Sequence, residues 1–188
     1  YMVVKLTYDQ EKFAQGLTNI STVIRGKKVL DPTSIAADQI VSGKRYRIVT
    51  AGDTDFTAIG ATANTVGTVF NATGTTSGSG TVFIIDWSQN PALCIYDYLR
   101  DTKYGLGETE SNILTSSVTT AKGVSNQSIN LSGTGSQVRY TIDGVVDTAN
   151  SIKSNIETMI GSMAGRLVYS GGKFEVHAGE YVAPTVTI

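Results

Sequence analysis

Ser88-Gln89-Asn90-Pro91-Ala92-Leu93-Cys94-Ile95-Tyr96-Asp97-Tyr98-Leu99-Arg100 is the stretch on which the fold turns. Asn90 is a natural helix cap, because its side-chain oxygen can accept a backbone N–H that has no partner inside the helix. Pro91 suits the first helical position, where its missing N–H costs nothing and its fixed φ is already helical. Ala92, Leu93, Tyr96 and Leu99 then recur at helical spacing, which predicts a helix that ends before Gly105. Just upstream, Thr81-Val82-Phe83 reads as a strand, so the chain passes here from β to α.

Downstream the helical character continues. Ile113, Leu114, Val118 and Ala121 share one face of a second helix that should end near Gly123. Val138 to Ile142, Asp143-Gly144 and Val145 to Asp147 predict a hairpin, because Asp-Gly accepts the positive φ of a type I′ turn. A third helix follows, capped by Asp147 or Thr148, with Ile152, Ile156, Met159, Ile160 and Met163 on one stripe. Gly165 is placed to end it in a left-handed conformation. Leu167-Val168-Tyr169, a Ser170-Gly171-Gly172 turn and Phe174-Glu175-Val176 predict a second hairpin.

Upstream, Met2 to Leu6 and Ser21 to Arg25 read as strands, the second returning through Val29-Leu30 until Asp31-Pro32 stops it. Between Thr33 and Phe83 the texture changes. Of these 51 residues 22 are Thr, Gly or Ser, and the charges cancel. Short β signals recur at Tyr46 to Val49, Thr65 to Phe70 and Thr81 to Phe83, with a glycine-rich loop from Thr73 to Gly80. The expected fold is therefore α+β: residues 1–32 and 84–188 form a discontinuous domain of antiparallel strands with two to three helices. Residues 33–83 form a small all-β insert, expected to be a satellite with its ends close together. The chain opens on Tyr1-Met2 and closes on Val186-Thr187-Ile188, and so reads as a piece of something longer.

Composition narrows the function. Charged residues make up only 16% of the 188, with a net charge of −1. Weakly charged polar surfaces are cheap to desolvate, which suits a protein built into an assembly. Neither sign forms a block, so the basic stripe that a nucleic-acid binder needs is missing, and no sequence-specific nucleic acid is expected as a partner. No run reaches the roughly 20 apolar residues that span a bilayer. The single cysteine, Cys94, sits in an apolar helical run and reads as a small buried hydrophobe.

Candidate chemistry is thin. The only histidine, His177, alternates with Phe174 and Val176 and so shares a face with Glu175, away from the apolar side. No serine lies in a nucleophile elbow and no phosphate loop is present. Asp53-Thr54-Asp55 resembles the start of a calcium loop but lacks the later ligands, so a turn is the reading adopted. The expectation is no enzyme activity, no cofactor and no metal.

Beyond this point a resemblance carries the reading. Trp87-Ser88-Gln89-Asn90-Pro91-Ala92 through Asp97-Tyr98-Leu99-Arg100, with Tyr104-Gly105-Leu106-Gly107, resembles a signature of the tail-tip attachment (host-specificity) proteins of long-tailed bacteriophages. Ile24-Arg25-Gly26-Lys27-Lys28-Val29-Leu30-Asp31-Pro32 resembles a further phrase of that family. So do Asp143 to Thr148, Gly165 to Lys173 and His177-Ala178-Gly179. The phrases stand in the family's order over both flanks. The departure lies between Pro32 and Trp87, where relatives have a short connection and this chain has the insert. The insert itself, from Gly43-Lys44-Arg45-Tyr46 to Gly67-Thr68-Val69-Phe70, looks like a small module found in many phage structural proteins.

The resemblance implies a ring-forming structural protein of the virion, assembled in the host cytoplasm. Three copies at the distal tail end would contact tape-measure and other tail-tip proteins, surround the DNA exit path, and connect the tube to parts that meet a host receptor or glycan. Tyr96, Tyr98, Arg100 and Tyr104 are the expected subunit-contact cluster, since aromatics and arginine are enriched at interface cores. The insert is expected on the outside of the ring, dispensable for its assembly. The competing reading is a β-rich adhesin or carbohydrate-binding module centred on the insert, with Tyr46, Phe56, Phe70 and Phe83 as its aromatics.

Overall fold

The structure is a computed structural model, and it describes Glu11, residues 24–133 and residues 135–181. The strands expected at 2–6 and 21–23 lie outside the described residues. Ile24 and Arg25 belong to an irregular segment.

The fold is α+β. Four strands, β1 (Val29–Ala36), β2 (Arg45–Thr50), β3 (Val69–Asn71) and β4 (Thr81–Asp86), form an antiparallel sheet in the order β1-β4-β2-β3. Three helices follow, α1 (Pro91–Arg100), α2 (Thr115–Ser125) and α3 (Ile152–Gly161). Two hairpins accompany them, β5 (Ser128–Asn130) with β6 (Ser136–Val138), and β7 (Arg166–Ser170) with β8 (Lys173–His177).

The four-stranded sheet separates two apolar cores. On β4, Val82 and Ile84 join Ala37, Ile40, Tyr46, Ile48, Phe56, Ile59 and Phe70, all but Ile84 within the segment expected to be an insert. The alternate residues Phe83 and Ile85 pack with Val29, Leu30 and the three helices. This is the period-2 alternation of a strand buried on both faces. The boundary between insert and host thus runs along two shared strands instead of falling between elements. Ser34 pairs with Phe83, so the two ends of the insert are adjacent. Ile48 and Phe70 lie in one core while Ile156 and Ile160 belong to the other.

Four sequence expectations are corrected. Asp31-Pro32 does not end the first strand: β1 continues to Ala36 through a register shift between Leu30 and Ser34. β1 is an edge strand, and Pro32 falls inside the irregularity, where no ladder N–H is required of it. The Asp143-Gly144 hairpin does not form. Arg139, Tyr140 and Ile142 donate their N–H groups to the carbonyls of Gln127, Ser125 and Gln89, while Tyr140 and Ile142 pack on the helical core. Tertiary docking has taken the hydrogen bonds that a 145–147 strand would have used. The third helix starts later than predicted, with Ser151 accepting the N–H of Ser154 at 3.1 Å. It is Ala164, not Gly165, that takes the positive φ after it. Gly165 is required by close approach instead, since a Cβ there would lie 2.3 Å from the His177 carbonyl oxygen.

The β7–β8 hairpin forms as read, with positive φ at both Gly171 and Gly172. Helix α1 is buried on nearly every side, packing on α2, α3 and β1, and is the centre of the larger core. Among the described residues no helix is long and apolar enough to cross a membrane.

Candidate functional site

The four residues expected to contact other subunits do not share a surface. Tyr96 is fully buried, and Tyr98 is buried with its hydroxyl accepting the Asn155 Nδ2 at 3.1 Å. Both are core of α1. Arg100 lies over the Tyr96 ring, 4.9 Å from its centroid, and only Tyr104 stands largely in solvent, 53% exposed. The correction follows from helix packing: the faces of α1 that carry Tyr96 and Tyr98 are taken up by its own neighbours, which leaves neither ring for a partner.

Arg100 takes part in a different arrangement. Glu110, in the turn before α2, accepts both prongs of Arg47 from β2, at 2.7 and 2.8 Å, and lies 3.4 Å from Arg100. Arg47 also packs over Phe83, 5.1 Å from the ring centroid. The hydrogen bond from Arg47 holds the Glu110 carboxyl below its usual range, although partial burial opposes the shift. Burial pushes the nearby Tyr96 hydroxyl well above the ordinary tyrosine range. Such a half-buried, two-pronged pair fixes orientation as well as adding energy. It joins the β segment to the helical part.

Several positions of the signature stretch have a structural explanation. Asn90 Oδ1 accepts from Ala92 N at 3.1 Å and Leu93 N at 3.4 Å, capping α1. Its Nδ2 donates to the Lys122 carbonyl and to Asn126 Oδ1, tying α1 to the end of α2. Leu106 N donates to the Tyr98 carbonyl, and a Cβ on Gly105 would sit 1.8 Å from that oxygen. Lys27, from the upstream phrase, reaches 2.7 Å to Asp97 and 2.7 Å to Asp101. The Lys27 hydrogen bond, helped by the N–H groups of Tyr104 and Lys103, draws Asp101 down to about 2.

A groove of about 460 Å³ lies between α2 and β8, lined by Ser117, Thr120, Arg166, Glu175 and His177 among others. His177 does share a face with Glu175, Nε2 to Oε2 at 3.3 Å. Ser117 Oγ donates to the Leu114 carbonyl and accepts from Val176 N, which closes the strand edge against the helix. Asp53 binds the N–H and hydroxyl of Ser79, and Asp55 binds Thr57 and Asn64, so both serve turns. Among the described residues, no group of three or more His, Cys, Asp or Glu is disposed to hold a metal ion. Cys94 is half-buried, and burial pushes its thiol up to about 11.

A second, smaller cleft of about 340 Å³ was not foreseen from the sequence. It opens between the start of α1, the end of α2 and residues 138–141, and Trp87, Gln89, Lys122, Asn126 and Tyr140 are among its lining. The signal available in the sequence was the chain's one tryptophan, set just before a helix start and read only as part of the signature.

No protein-family model matches the chain, and no curated protein matches it.

Proposed function

We propose that this chain is a structural subunit of a phage tail-tip hub, part of a ring at the distal end of the tail that links the tube to receptor-binding parts. The observation that carries the reading is the contact of Lys27 with Asp97 and Asp101. Two of the phrases that carry the resemblance lie on either side of a long insert, yet they bind each other through charged groups. Residues that recur in such phrases are thereby explained as scaffold: a helix cap at Asn90, a close backbone approach at Gly105 and an ion-paired brace at Lys27. A signature made of a helix cap, a close backbone approach and an ion-paired brace supports assembly over turnover.

The ring contacts then fall to exposed positions. Tyr104, on the loop after α1, is the one member of the expected cluster that a neighbouring copy could reach broadly. The β segment sits on the far side of the sheet from the helices, which favours an outward position where nothing else packs. The near-neutral charge lets DNA pass without binding.

Immunogold electron microscopy of particles from the source of this sequence, with an antibody raised against residues 24–181, tests the reading. Label confined to the distal tail tip is expected. Label on the head, or particles that lack the protein altogether, contradicts it.

A further inference from the structure

We propose that the cleft bordered by Trp87 and Tyr140 binds an uncharged saccharide, a property that does not depend on the tail-hub reading. Its volume of about 340 Å³ is at the small end of ligand pockets, which run from about 300 to 1,000 Å³. That leaves room for a few sugar rings. A sugar presents an apolar C–H face and a rim of hydroxyls, so its site needs an aromatic surface beside fixed donors and acceptors. Trp87 and Tyr140 provide the first, and Asp31, Gln89, Lys122 and Asn126 provide the second.

The charge balance selects the ligand class. Lys122 Nζ lies 2.5 Å from Asp31 Oδ2, so the two formal charges in the lining cancel. A neutral ligand can still use the pair: an ammonium has three donors and a carboxylate about four acceptor sites. Lys122 spends two donors on Asp31 and Thr33, and Asp31 accepts from Lys122 and from Thr33 N.

The polar groups are held in place before any ligand arrives. Asn90 is buried, and its Nδ2 fixes Asn126 by donating to Oδ1 at 2.8 Å, which leaves the Asn126 Nδ2 donors to the cleft. Gln89 donates to Asp143 at 2.5 Å, which leaves its Oε1 as an acceptor. Arg25 lies over the Trp87 ring, 5.3 Å from the centroid, and steadies the indole. The Tyr140 hydroxyl is anchored on the Gly179 carbonyl at 2.8 Å. Groups fixed in advance lose little entropy on binding, which is what a weak-affinity sugar site requires.

Trp87 is the only tryptophan in the chain, so its emission reports on this cleft alone. The test is to titrate the 188-residue protein with maltotriose, cellotriose and triacetylchitotriose while following that emission. At least one should give a saturable change, with a dissociation constant at or below about 10 mM. Gln89→Ala and Asn126→Ala, each checked for an unchanged melting curve, should weaken binding at least about fivefold, the loss of one hydrogen bond. If Asn126→Ala unfolds the protein, Gln89→Ala carries the test, since its side chain lies at the rim. Absence of a saturable change with all three sugars overturns the proposal, as does equal binding by a folded variant. A change driven by inorganic phosphate, or by protein concentration without sugar, also overturns it, because the cleft would then take an anion or a neighbouring copy.

Discussion

Arg47 and Glu110, 63 residues apart in sequence, meet as a two-pronged ion pair with donor–acceptor distances of 2.7 and 2.8 Å. Arg47 belongs to the Thr/Gly-rich β segment and Glu110 to the helical part. Together with the shared strands β1 and β4, this pair joins the segment, which keeps an apolar core of its own, to the helical part.

Glu110→Gln should lower stability by about 1.5–3 kcal/mol at neutral pH, the range for hydrogen bonds to charged groups, with the lower half expected because the pair is partly solvated. The Glu110 carboxyl is held below its unfolded value, so its contribution is present above about pH 4.3 and is lost as pH falls through the lower folded value. Chemical unfolding of wild type and variant from about pH 7 to pH 3 should show the difference shrinking on acidification. A constant difference would mean that the charge plays no part.

Gly105→Ala and Gly123→Ala should act in opposite directions. A Cβ at Gly105 meets the Tyr98 carbonyl oxygen at 1.8 Å, which the backbone cannot relieve without moving the loop, and a loss above about 3 kcal/mol is expected. A Cβ at Gly123, inside α2, meets nothing within 4 Å, and the gain in helix propensity should add about 0.5–1 kcal/mol. Thermal melts of the two variants decide the point.

Met159→Asp should cost about 3–5 kcal/mol by placing an unpaired charge in the helical core, where Met159 is 7% exposed. Thr75→Asp, on the exposed glycine-rich loop, should change stability by less than about 0.5 kcal/mol. Equal losses in urea unfolding would contradict the core assignment.

Cys94 should resist alkylation. Burial raises its thiol to about 11, so at pH 8 its thiolate fraction is roughly a hundredfold below that of an ordinary cysteine. Iodoacetamide labelling followed by mass spectrometry should be slower than for glutathione by a comparable factor. Equal rates would mean that the α1 surface around Cys94 opens.

Much of this fold could be read from local chemistry. Asn90-Pro91 marks the start of α1, the Gly171-Gly172 turn marks the last hairpin, and the Ile156-Met159-Met163 stripe marks α3. What local chemistry missed was decided by distant partners. Pro32 reads as a strand stop only until β4 pairs with β1 on either side of it, leaving Pro32 in an irregularity of an edge strand. Tyr140 and Ile142 read as strand residues until α2 and Gln89 take their N–H groups. Tyr96 and Tyr98 read as interface residues because sequence cannot tell how many neighbours surround a helix; here α2, α3 and β1 surround it. The Trp87 cleft was invisible for the same reason: its lining comes from four separate stretches.

The most direct test of the tail-hub account is a cryo-electron-microscopy reconstruction of the tail tip from particles of the source. The account predicts density for the four-stranded sheet and its three helices repeated three times around the tail axis, with the β2–β3 edge turned outward. Density for this fold elsewhere in the particle, or a ring whose lumen is lined by the Thr/Gly-rich segment, would contradict it.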